Sequence, residues 1–75
     1  MSLKISQIRE GDRFWFKNRF GKFATGEVIK VIESESALQA LDLVDGGFVM
    51  VEFSNSYWEE KEARKNILSR RKKKK

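Results

Sequence analysis

Lys17, Arg19 and Lys22 alternate with Trp15, Phe20 and Phe23 in one short stretch of the chain. Cations at that spacing hold backbone phosphates, and flat rings beside them stack on exposed bases. Phe20 stands next to Gly21 in a predicted loop, where a ring with a purely structural role is less expected. Trp15 lies between Arg13 and Lys17, out of phase with Phe14 and Phe16. If those two phenylalanines face a core, Trp15 faces outward and can stack on a base or wedge into a groove. The competing expectation is that it covers the open end of a barrel or packs under a C-terminal helix. Lys30 extends the same positive stretch. Arg70, Arg71, Lys72, Lys73, Lys74 and Lys75 form a terminal polycation able to neutralise up to about six phosphates without reading sequence. Arg13, Trp15, Lys17, Arg19, Phe20, Lys22, Lys30 and this terminal run are the candidate nucleic-acid-binding set.

Other chemistries find little support in the residue types. The chain has no His and no Cys, so it lacks the commonest general base, a thiolate nucleophile and the usual soft metal ligands. Ser34, Ser36, Ser54 and Ser56 read as loop and cap residues with no base to activate them. Glu33 with Glu35, or Asp42 with Asp45, can touch a cation weakly, but neither pair has metal-site spacing. Trp15, Phe20, Phe48 and Trp58 could wall an aromatic cage for a methylated lysine. The expectation is a non-enzymatic protein with no cofactor and no metal.

Charge is segregated along the chain. Sixteen bases and eleven acids give a net charge of +5. Six of the bases are the terminal run, and the ten that remain against eleven acids leave −1. Residues 1–32 carry seven bases and three acids, and residues 33–62 carry one base and eight acids. Residues 63–75 carry eight bases and no acid. A phosphate-binding surface therefore belongs on the first hairpin and the tail. The acidic middle suggests the alternative: a small protein-interaction or regulatory module, of the accessory or virus-encoded kind, that binds a basic partner.

The elements that must position these side chains are mostly strands. Arg13–Lys17 alternates with a period of two, and Phe23 to Ile32 is rich in β-branched residues. Gly26 inside the second run predicts a bulge or bend. Ala37 to Val44 reads as a third strand, Asp45-Gly46-Gly47 as a hairpin turn, and Phe48 to Phe53 as a fourth strand with Val49, Val51 and Phe53 on one face. Ser56-Tyr57-Trp58-Glu59 fits a capping box, followed by helix formers from Glu59 to about Leu68. That helix is expected to dock through Tyr57 or Trp58, Ile67 and Leu68. The fold class is mainly β: a small, strongly bent barrel of four to five antiparallel strands, a C-terminal α-helix and a disordered basic tail. The boundaries are 1–58 for the barrel, 59–69 for the helix and 70–75 for the tail.

Gly11-Asp12-Arg13-Phe14 resembles the "Gly-Asp-x-Val" opening strand of the KOW type of SH3-like barrel, with Phe for Val. Gly26-Glu27-Val28-Ile29-Lys30-Val31 resembles its closing "Gly-x-Val-x-x-Ile/Val". Phe48-Val49-Met50-Val51-Glu52-Phe53 looks like the fourth strand of KOW or Tudor-type barrels. The resemblance covers roughly residues 8–53. It implies binding of RNA, DNA or protein through the first loop. A barrel with a C-terminal helix is also similar to small archaeal chromatin proteins, but this body is not strongly basic. No apolar run nears the roughly 18 residues of a membrane span. Met1-Ser2-Leu3-Lys4-Ile5 lacks the apolar core of a secretory leader. The expected location is cytoplasmic, associated with a nucleoid or a ribonucleoprotein, as a monomer or weak homodimer.

Overall fold

The computed structural model describes residues 3–68. Four antiparallel strands follow in chain order: β1 (Arg13–Lys17), β2 (Phe23–Ile32), β3 (Ala37–Asp42) and β4 (Phe48–Glu52). They form one sheet in the order β1-β2-β3-β4. A single helix, α1 (Glu60–Leu68), packs against β1 and β2. The architecture is mainly β, as the period-two segments require. The sheet is unclosed. A 3-10 turn at Phe53–Asn55 carries the chain from β4 back toward β1, where Trp15 and Tyr57 exchange two backbone hydrogen bonds of 2.8 Å. A fifth strand is thus reduced to one bridge.

Alternation along β1 turns Phe14 and Phe16 inward. They join Ile8, Ala24, Val28, Leu38, Ala40 and Val51 in the core, with Val49, Phe53 and Trp58 packed against it. Phe14 is 0% exposed, and the Trp58 ring stacks on it with centroids 5.1 Å apart. Burying one such phenylalanine stabilises the fold by about 1.5–3 kcal/mol.

The bulge in β2 lies between Val28 and Lys30, not at Gly26. Gly26 serves the core instead. A Cβ there would come within 3.0 Å of the Phe14 and Phe16 rings, so the missing side chain is what admits both rings. The third strand ends at Asp42, two residues earlier than its apolar run, because Asp42 turns its carboxylate onto the following backbone. The Asp45-Gly46-Gly47 turn forms as read, with φ of 80° at Gly46 and 85° at Gly47.

The helix ends at Leu68 as expected but differs in its capping and in its docking face. Ser56 does not cap it. Its hydroxyl donates to the Phe53 carbonyl at 2.6 Å and accepts the Trp58 indole N–H at 3.0 Å, which fixes the ring over Phe14. The first helical hydrogen bond runs from the Ala63 N–H to the Glu59 carbonyl. Ala63 and Ile67 are the buried face, whereas Leu68 is exposed. Glu60 accepts two hydrogen bonds from Arg64, at 2.7 and 3.0 Å, in the favourable i, i+4 order.

Candidate functional site

Two loops meet at one end of the sheet: 18–22, joining β1 to β2, and 43–47, joining β3 to β4. Asn18 ties them together. Its amide nitrogen donates to Asp42 Oδ2 at 3.2 Å and to Asp45 Oδ2 at 2.6 Å. Its amide oxygen accepts the backbone N–H of Phe20 at 2.9 Å and of Lys22 at 3.0 Å. Asp42, 1% exposed, accepts the N–H groups of Val44 and Asp45 on its other oxygen. Burial pushes the Asp42 carboxyl up. The N–H groups of Asp45 and Val44, the Asn18 amide and the Arg19 guanidinium outweigh that and hold it below the ordinary carboxylate range.

This scaffold presents Arg19 and Phe20. The Phe20 ring is 60% exposed, and the Arg19 guanidinium carbon lies 5.3 Å from its centroid. Lys17 and Lys22 flank them and are exposed. Lys22 also reaches Asp45 at 3.5 Å. That contact is surface-exposed on the lysine side and is worth less than about 1 kcal/mol, so a phosphate can compete for the ammonium. Beside the loop runs a cleft of about 430 Å³, bordered by Lys17 and Arg19 on one side and by Phe48, Met50 and Glu52 on β4.

The other candidate residues sit elsewhere. Trp15 is half-buried on the outer face of β1, next to Thr25 in register. That face lies toward α1: Arg64 stands 5.1 Å from the centroid of Phe23, the cross-strand neighbour of Lys17. Arg13 is exposed at the far end of β1, opposite Glu27 in register. Lys30 is exposed seven residues beyond Phe23, roughly 20 Å along the strand from the loop cluster. Arg70, Arg71, Lys72, Lys73, Lys74 and Lys75 lie outside the described residues. Trp58 is committed to the core, so it does not share one cage with Phe20 and Phe48.

Asn18 and the buried Asp42 build the site although neither belongs to the candidate binding set. The available signal was local: Asn and Asp at strand ends, each just ahead of a glycine turn, are the residues whose side chains bond the backbone two residues on. The same finding removes Asp42 from any acidic docking surface, leaving Glu33 and Glu35 exposed on the turn between β2 and β3. Among the described residues, no cluster of three or more acids could hold a metal ion, and no helix is long and apolar enough to cross a membrane. In comparisons with family models, characterised proteins and solved structures, nothing matches this chain.

Proposed function

We propose that this protein is a non-enzymatic nucleic-acid-binding module that takes single-stranded RNA or DNA at the 18–22 loop. One observation carries the reading: an exposed Phe20 ring with Arg19 against it and Lys17 and Lys22 beside it, on a loop braced by a buried Asn18–Asp42 contact. A solvent-facing ring supplies a stacking surface that any unstacked base can use, worth about 1–3 kcal/mol per base. The adjacent cations supply phosphate contacts. Duplex DNA keeps its bases stacked on one another, so the single strand is the better match. The tail adds affinity without specificity. The KOW-type SH3-like barrel is the proposed relationship, and such a barrel binds through this first loop. The four antiparallel strands, the 3-10 turn after β4 and the Trp15–Tyr57 bridge support it.

Fluorescence anisotropy with labelled single-stranded RNA and DNA tests the assignment. Phe20→Ala is expected to weaken binding by roughly 5- to 150-fold, and Arg19→Ala to weaken it further at low salt. Binding unchanged in both variants rejects the loop as the site. Capture of a basic protein, lost on reversal of Glu33 and Glu35 to Lys, would instead favour the interaction-module reading.

A further inference from the structure

The two edges of the sheet differ. β1 is covered at Trp15 by Tyr57, whereas β4 has no backbone partner on its outer side among the described residues. Hydrogen-bond parity identifies the free groups. The Phe53 N–H bonds the Ser36 carbonyl, and the Asp42 N–H bonds the Gly47 carbonyl. Backbone direction alternates along a strand, so Gly47, Val49, Val51 and Phe53 turn their N–H and C=O toward β3. Phe48, Met50 and Glu52 therefore point theirs away from the sheet. The edge opens onto the cleft whose far side carries Lys17 and Arg19, and its own outward side chains are mostly apolar. Phe48 is 69% exposed and Met50 is 56% exposed. β4 has no lysine and no proline, the usual devices that keep such edges apart.

We infer that β4 is a homodimer strand, pairing antiparallel with β4 of a second copy about a two-fold axis at Met50. The strand is self-complementary in that register. Met50 faces the partner's Met50, and Phe48 faces the partner's Glu52. All three outward residues then exchange both backbone bonds, six in total for the pair. Every other two-fold register leaves at least one of them unpaired. Charge agrees with the same register. The Arg19 guanidinium lies 3.7 Å from where a Cβ on Gly47 would stand, one residue from Phe48. Glu52, the only charged residue of β4, then pairs opposite Phe48, one residue from the position that Arg19 approaches. Val49 and Val51 face each other on the core side and extend the apolar surface across the axis.

The test uses the full chain. Sedimentation equilibrium across micromolar to millimolar concentration is expected to show a mass rising toward twice that of the monomer. Met50→Lys places two ammonium groups face to face and is expected to weaken association by up to about fivefold. Its side chain is exposed and its N–H unused by β3, so the monomer fold stands. An independent reading uses the absence of native cysteine. In a hydrogen-bonded antiparallel pair the Cα atoms are about 5.5 Å apart, which is disulfide distance. Met50→Cys is expected to cross-link rapidly under mild oxidation, and Lys30→Cys on β2 to do so slowly. A monomer mass throughout, or equal cross-linking at both positions, overturns the proposal. None of these readouts involves nucleic acid, so failure here leaves the loop assignment standing.

Discussion

Replacing Asn18 by alanine removes one side chain and four hydrogen bonds. Their losses are unequal. The Phe20 and Lys22 N–H groups belong to exposed residues, so water replaces the amide oxygen at small cost. Asp45 is exposed enough to be rehydrated as well. Asp42 is not. Its Oδ1 keeps the Val44 and Asp45 N–H groups, but Oδ2, 1% exposed, loses the one donor it has among the described residues. A buried acceptor left unpaired costs about 1–3 kcal/mol, more when charged, so the expected loss is about 3 kcal/mol. A domain of this size has roughly 4–11 kcal/mol in total. At about 4–8 °C per kcal/mol, Tm falls by roughly 12–24 °C. Thermal and urea unfolding followed by near-ultraviolet circular dichroism measure this, with the urea slope unchanged. Asn18→Asp sharpens the test. It substitutes a third carboxylate for the donor between Asp42 and Asp45, so it should destabilise more than alanine at neutral pH and recover part of the loss on acidification. A Tm drop under about 4 °C for Asn18→Ala, below 1 kcal/mol, would refute the claim that this contact holds the two loops together.

Gly26→Ala is expected to cost about 1–3 kcal/mol in urea unfolding, because its Cβ meets two rigid core rings at 3.0 Å. The folded Asp42 carboxyl lies below its ordinary range, so its contribution is complete above about pH 4 and is lost as pH falls below that value. Asp42→Asn should therefore flatten the acid limb of the stability curve, and an unchanged limb would contradict the assignment. Trp15→Ala and Phe20→Ala should separate cleanly. The first lowers Tm by removing a half-buried ring on the helix side and leaves single-strand affinity within about twofold. The second lowers affinity and leaves Tm in place.

The strands were readable because two-residue alternation and glycine turns are local signals. Phe14 and Phe16 against Arg13, Trp15 and Lys17 gave the inner and outer faces of β1, and Asp45-Gly46-Gly47 gave the hairpin. Closure was not readable. Whether a fifth strand forms depends on how far Tyr57 reaches along β1, a tertiary distance with no pattern in the residues. The Ser56 capping box misled for a related reason. The motif was present, but the Trp58 indole and the Phe53 carbonyl competed for the same hydroxyl and took it. At the site, the exposed Phe20 could be read from its place beside Gly21. The bond from Asn18 to Asp42 spans 24 positions, and its two partners become neighbours only when the sheet forms.

The central claim is that the folded body, and not the tail alone, grips a single strand through Phe20. A salt titration of binding to labelled single-stranded RNA and DNA, comparing residues 1–75 with residues 1–69 and with Phe20→Ala, addresses it directly. Each phosphate contact contributes a slope of about −0.7 in log K against log salt on single strands, so removing six bases should flatten the slope by up to about 4. The expected result is that residues 1–69 still bind with a shallow slope, while Phe20→Ala lowers affinity by a constant factor at every salt concentration. Binding that disappears with the tail, or that ignores Phe20 throughout, would contradict the account.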